Sequence, residues 1–163
     1  MTMAVHLQFE GIRCFAEPQD AVIRPLTLLV GENSSGKTTF LALYRVAYAI
    51  ANGLQTVPVF NETPFSLGAY DQIASHHPTR NGHGGSFSIT ICVGIGQRRY
   101  SVGTEYVSRG GQPSPRTWRL TVGELAIQAT NLDDPQQGSI LLEGPRGKNR
   151  VAYAGALDFG NVT

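Results

Sequence analysis

The chain has 163 residues, with 13 Lys and Arg against 12 Asp and Glu, a formal net charge of +1 and only 15% charged residues. That balance leaves no overall electrostatic footprint for nucleic acid, and two cysteines exclude a disulfide framework and match no zinc spacing. No apolar run approaches the length of a membrane span.

The length suffices for one well-buried domain or for one lobe of a larger one. Charge below the usual ~25% predicts surfaces covered by a partner or by further polypeptide. The first ten residues alternate apolar and polar instead of forming the apolar block of an export signal, so a reducing cytoplasm is the expected home.

Residues 1–53 read as a β-hairpin followed by a strand, a loop and a helix. Leu26-Thr27-Leu28-Leu29-Val30 is an apolar, branched run that predicts a short buried strand. Gly31-Glu32-Asn33-Ser34-Ser35-Gly36-Lys37-Thr38 then spells a complete Walker A phosphate-binding loop (P-loop). Residues 39–51 predict a helix, with Phe40, Leu43, Tyr44 and Ala47 on one face and Asn52-Gly53 as the stop. Gly31 and Gly36 let successive N–H groups converge on phosphate oxygens, and the helix start adds positive potential. Lys37 is placed to reach the β- and γ-phosphates, and the Thr38 hydroxyl to ligate Mg²⁺. The competing reading of the same residues is a glycine-rich turn that happens to contain Lys-Thr.

Residues 54–85 form an irregular connecting segment, with Pro58, Pro64, Pro78 and the run Asn81-Gly82-His83-Gly84-Gly85. His76, His77 and His83 there suit a solvated loop better than a metal site. From 86 to 163 strand signals dominate. Phe87, Ile89, Ile91 and Val93 alternate with polar residues, and Tyr100 to Tyr106, Trp118 to Val122 and Leu125 to Ile127 repeat the pattern, as in an antiparallel sheet with one buried face. Arg98, Arg99, Arg116 and Arg119 flank Tyr100 and Trp118. Such mixtures can stack on single-stranded nucleic acid, but on alternating strands they suit an exposed sheet face.

Asn33 within the loop resembles ABC-type ATPase heads. The stretch Phe9-Glu10-Gly11-Ile12-Arg13-Cys14-Phe15, followed by Pro25-Leu26-Thr27-Leu28-Leu29-Val30 and the loop, resembles the N-terminus of the SMC/RecF-like ATPases. Within that group it is most similar to the predicted ATPases related to the OLD (overcoming lysogenization defect) nucleases. Phe65-Ser66-Leu67-Gly68-Ala69-Tyr70-Asp71-Gln72-Ile73 resembles the segment that follows the first helix in those proteins. The resemblance implies an α/β fold: the N-terminal lobe of a P-loop NTPase of the ABC-type head, carrying an antiparallel β-subdomain. It implies ATP and Mg²⁺ as ligands and a DNA-associated role in repair, recombination or defence against phage. It further implies a homodimer or larger ATPase assembly, with a nuclease as partner or fused domain. The nucleotide-binding set is then Gly31, Glu32, Asn33, Ser34, Ser35, Gly36, Lys37, Thr38 and Thr39, with Thr38 on the metal. Arg13 matches the family's basic residue beside the nucleotide; a surface arginine on a hairpin is the plainer reading.

Much of the hydrolytic equipment of such heads has no match. Ile140-Leu141-Leu142-Glu143 imitates the acidic motif, but glycine follows where another acid belongs. Ser108-Arg109-Gly110-Gly111-Gln112 imitates the signature loop, yet Pro113 and Pro115 stand where its helix would run. Gln72 sits earlier than the family's Mg²⁺-sensing glutamine. The expected account is one incomplete head, the N-terminal portion of a longer ATPase that completes catalysis through a further lobe and dimerisation. Two alternatives stay open: a nucleotide-binding regulatory or scaffold module without turnover, and a small P-loop kinase or GTPase. Against the latter, the sequence shows no Asn-Lys-x-Asp motif and no arginine-rich lid.

Overall fold

Period-two alternation organises most of the chain. The computed structural model describes residues 4–52, 60–76, 85–95, 98–132 and 138–152. Eight strands form one sheet: β1 (Ala4–Glu10), β2 (Gln19–Ile23), β5 (Ser86–Ile95), β6 (Arg98–Arg109), β7 (Gln112–Val122), β8 (Leu125–Thr130), β9 (Ser139–Gly144) and β10 (Gly147–Ala152). Their order is β10-β9-β8-β7-β6-β5-β1-β2, and neighbours are antiparallel throughout. Between β2 and β5 lie helix α1 (Lys37–Ala51), the short pair β3 (Asn61–Glu62) and β4 (Phe65–Ser66), and a single turn of helix, α2 (Tyr70–Ile73).

One face of the sheet carries the core. Leu7, Phe9, Phe87, Ile89, Ile91, Val102 and Tyr106 bury themselves with Leu43, Val46 and Ala47 of α1. Four aromatic rings, Phe60, Tyr70, Phe87 and Tyr106, pack mutually with centroids 5.1 to 5.7 Å apart. The other face is polar, and one cross-strand row reads Gln8, Thr90, Gly103, Arg119, Gln128. Because β1 pairs with β5, residues before the P-loop and residues after 85 share one sheet.

The expected α/β P-loop NTPase lobe with its parallel sheet is not what forms. Among the described residues the fold is β-rich, 54% strand and 15% helix with two helices, and one of those has four residues. That is too little helix to cover both faces of a parallel sheet, which buries both. The local miss is residues 26–30, expected as a buried strand. Among the described residues no strand pairs with this segment, and Leu26, Leu28 and Val30 stand 77%, 78% and 93% exposed. Apolar side chains state what a segment would gain by burial, but a strand exists only where neighbouring backbone accepts and donates its hydrogen bonds.

Candidate nucleotide-binding site

The loop turns on two left-handed residues, Ser34 (φ 65°) and Gly36 (φ 90°). A Cβ on Gly36 would come within 2.7 Å of Phe15 Cζ and 3.0 Å of Cys14 Sγ, so glycine serves both the dihedral and the close approach. Phe15 is in turn fixed edge-on against Phe9, and Phe9 against Phe40 of α1, with centroids 5.1 and 6.0 Å apart. Phe15 of the turn, backed by Phe9 of β1 and Phe40 of α1, thus forms the floor on which the loop sits.

α1 begins directly after Gly36. Phe40 N–H donates to the Gly36 carbonyl at 2.8 Å, the first intrahelical bond, and no side chain caps the helix start. First-turn N–H groups have no intrahelical acceptors, so this end presents donors and positive potential. Lys37 folds back over the loop, and its ammonium donates to the Gly31 carbonyl (2.9 Å), the Glu32 carbonyl (2.6 Å) and Ser35 Oγ (3.4 Å). Neutral acceptors hold it there, leaving its full charge for an anion.

Arg13 approaches from the turn after β1, in a left-handed backbone conformation at φ 46°. Its guanidinium spreads over three elements, donating to Thr39 Oγ1 (3.1 Å), the Gln72 carbonyl (3.0 Å) and the Leu67 carbonyl (2.8 Å). Arginine has five N–H donors, so this bracing still leaves donors and charge to spare. Its own N–H donates to the Ile73 carbonyl at 2.9 Å, tying the turn to α2.

Together these parts enclose a cavity of about 450 Å³, lined by Asn33, Ser34, Gly36, Lys37, Thr38 and Thr39 from the loop and helix and by Arg13 and Cys14 from the turn. Gly31, Glu32 and Ser35 stand outside the lining and act through Lys37. Thr38 is exposed at the cavity, while the Thr39 hydroxyl is buried against Arg13. Cys14 and Phe15 were not singled out as site residues from sequence. The signal lay in the stretch from Phe9 through Arg13 to Phe15, whose use here is to seat the loop.

The other sequence candidates lie apart from this cavity. Gln72 Oε1 accepts from Ala69 N–H at 3.1 Å, folding the amide onto the start of α2. Residues 110 and 111, in the signature-like stretch, are a two-residue hairpin turn with φ 57° and 76°, and its Gly111 carbonyl accepts from Tyr70 N–H. Glu143 sits on β9, five strand positions from β1, roughly 24 Å at ~4.8 Å per strand. There it pairs with Lys148 and, at 3.2 Å, with Arg119; its hydrogen bond with Lys148 first, then these charges, hold its carboxyl below the usual range. Arg119 is therefore committed, and Trp118 packs against the core instead of offering a stacking surface. His77 and His83 lie outside the described residues.

Among the described residues, no helix is long and apolar enough to cross a membrane. Cys14 and Cys92 are free thiols. The chain matches no known protein family, no characterised protein and no solved structure.

Proposed function

We propose that this chain binds MgATP at residues 31–39 with help from Arg13, as the nucleotide-binding part of a DNA-associated ATPase assembly of the cytoplasm. The observation that carries the nucleotide reading is the cradle itself. An uncapped helix start, two left-handed loop residues and an ammonium held by neutral acceptors converge on one cavity beside a braced guanidinium. Four or so phosphate charges would meet two fixed cations and a row of N–H donors there. Thr38 is the residue that would hold Mg²⁺, whose part is to offset the charge of the terminal phosphates. Association with DNA and with a nuclease rests on the sequence resemblance, and the free thiols accord with a reducing compartment.

A calorimetric titration of MgATP into the chain tests this, with Lys37→Ala as control. Saturable binding lost in the variant supports the reading; no binding by folded wild-type chain overturns it. A second reading, binding without turnover, is favoured by the remote and ion-paired position of Glu143. ATP hydrolysis that rises with protein concentration would rule it out.

A further inference from the structure

The single helical turn α2 is suspended between the nucleotide cavity and the turn that joins β6 to β7. Tyr70 and Ile73 bury their side chains in the core, while the two backbone ends are closed by neighbours. At the carbonyl end stands Arg13. Its Nε donates to the Gln72 carbonyl (3.0 Å), its main-chain N–H to the Ile73 carbonyl (2.9 Å), and its Nη2 to the Leu67 carbonyl just upstream (2.8 Å). At the amino end the Tyr70 N–H donates to the Gly111 carbonyl at 2.9 Å. The Tyr70 hydroxyl donates to the Gly85 carbonyl at 2.8 Å. Four residues are far too few for a helix to hold itself, so the ends of α2 keep their place through these neighbours.

We infer that α2 couples occupancy of the nucleotide cavity to the β6–β7 turn, with Arg13 as the positioning residue. The inference rests on the nucleotide reading and adds how that site is regulated. Arg13 spends three of its five N–H donors on Thr39, Leu67 and Gln72, which leaves two for a phosphate in the cavity it lines. Bonds to phosphate are charge-assisted and stronger than those to carbonyls. A bound phosphate therefore pins the guanidinium, and the pinned fork holds the Leu67 and Gln72 carbonyls in one geometry. The Arg13 backbone stores the alternative. Its φ of 46° is left-handed, strained for a bulky residue, and persists only while the bonds around it are made. With the fork loosened, that turn relaxes, two carbonyls lose their donor, and α2 shifts against Gly111. The β6–β7 turn is able to follow: Gly110 and Gly111 are exposed, and a Cβ added at either would meet nothing within 4 Å. Coupling of this kind is reciprocal, so the turn is also a handle on nucleotide affinity from outside the cavity.

Residue-resolved amide exchange on the full chain, with and without saturating MgATP, is the test, with calorimetry on the same samples. MgATP is expected to slow the amides of Tyr70, Gln72, Ile73 and Ala74 about fivefold or more, while β9 and β10 serve as an unchanged reference. Arg13→Lys keeps the cation without the fork, so it should bind MgATP more weakly and lose this protection. Gly111 has φ 76°, which a branched side chain tolerates poorly, so Gly111→Val disturbs the turn from outside the cavity. It should weaken MgATP about fivefold in the wild-type background and have no further effect beside Arg13→Lys, where the route is already cut. Circular dichroism checks the fold of each variant, and the wild-type exchange needs no substitution at all. Folded wild-type chain that gives no heat of binding ends the nucleotide reading and this inference with it. Binding without protection of α2, or a Gly111→Val loss that simply adds to that of Arg13→Lys, overturns the coupling alone.

Discussion

Gly36 concentrates the demands of the site at one Cα. Alanine there would need a left-handed backbone that costs about 1–2 kcal/mol and would press its methyl into the Phe15 ring. Gly36→Ala is expected to destabilise by at least ~1 kcal/mol in urea unfolding and to weaken MgATP tenfold or more, because the ring it displaces seats the loop. Tyr106 poses the opposite case. Its side chain is fully buried and its hydroxyl has no hydrogen-bond partner among the described residues. Burial pushes its pKa up, opposed in part by the nearby Thr104 side chain, whose approach to the hydroxyl falls short of hydrogen-bond geometry. An unsatisfied buried hydroxyl costs about 1–3 kcal/mol, so Tyr106→Phe should leave stability unchanged or raise it by about 1 kcal/mol. Loss of stability in that variant would mean the hydroxyl has a partner after all. Asp20 governs a small acid response. It accepts from Gln8 Nε2 at 3.0 Å and pairs with His6 Nδ1 at 2.9 Å, and these bonds, Gln8 first, hold its carboxyl below the ordinary 3.8. A depressed folded pKa stabilises the fold above the unfolded value, and that share is lost as pH falls through the folded one. Asp20→Asn should flatten the fall in stability below pH ~4, by a modest amount because the group is exposed.

At the scale of elements, what the sequence revealed divides along a physical line. Strands with one buried face announce themselves, as Phe87, Ile89 and Ile91 do against Ser88 and Thr90, because the alternation that fixes the face also fixes the secondary structure. Helix α1 was legible for the same reason at period 3.6: Thr39, Ala42, Leu43, Val46 and Ala47 are the buried set, with Phe40 and Tyr44 beside them. Residues 26–30 were misread because their apolar run is as strong as that of β5, while the partner strands that would bury it do not follow from local pattern. Pro113 and Pro115 stood where a signature helix would run, and the structure has strand there: both lie in β7, opposite Ser108 and Tyr106, where the register shifts between Glu105 and Tyr106. The cavity was half legible, since the loop's chemistry is local, whereas its floor and the three-way clasp of Arg13 join residues up to 59 apart. Leu43 joins helix to sheet at full burial. Leu43→Ala should cost about 2–5 kcal/mol and weaken MgATP in parallel, because α1 carries the loop at its N-terminus.

Over the whole molecule, the core is lopsided. α1 packs against β5 and β6, and the small α2 region closes the space near β1. Farther along the sheet the same apolar face continues without cover among the described residues: Ile127 on β8, Leu142 on β9 and Val151 on β10 are all exposed. The far edge is protected from strand addition by charge, with Arg146, Lys148 and Arg150 on or beside β10, every residue of which is exposed. Stability should therefore grade across the sheet, because opening free energy follows the apolar surface that each strand buries. Native-state hydrogen exchange is expected to find the slowest amides in β1, β5, β6 and α1, with β9 and β10 opening first by a local route. Adding MgATP should slow exchange around the start of α1 and the turn holding Arg13 while leaving β9 and β10 unchanged, since they lie roughly five strand spacings away. Equal protection from β1 to β10 would show instead that the exposed face at Ile127, Leu142 and Val151 is buried in solution, and the lopsided core would have to be abandoned.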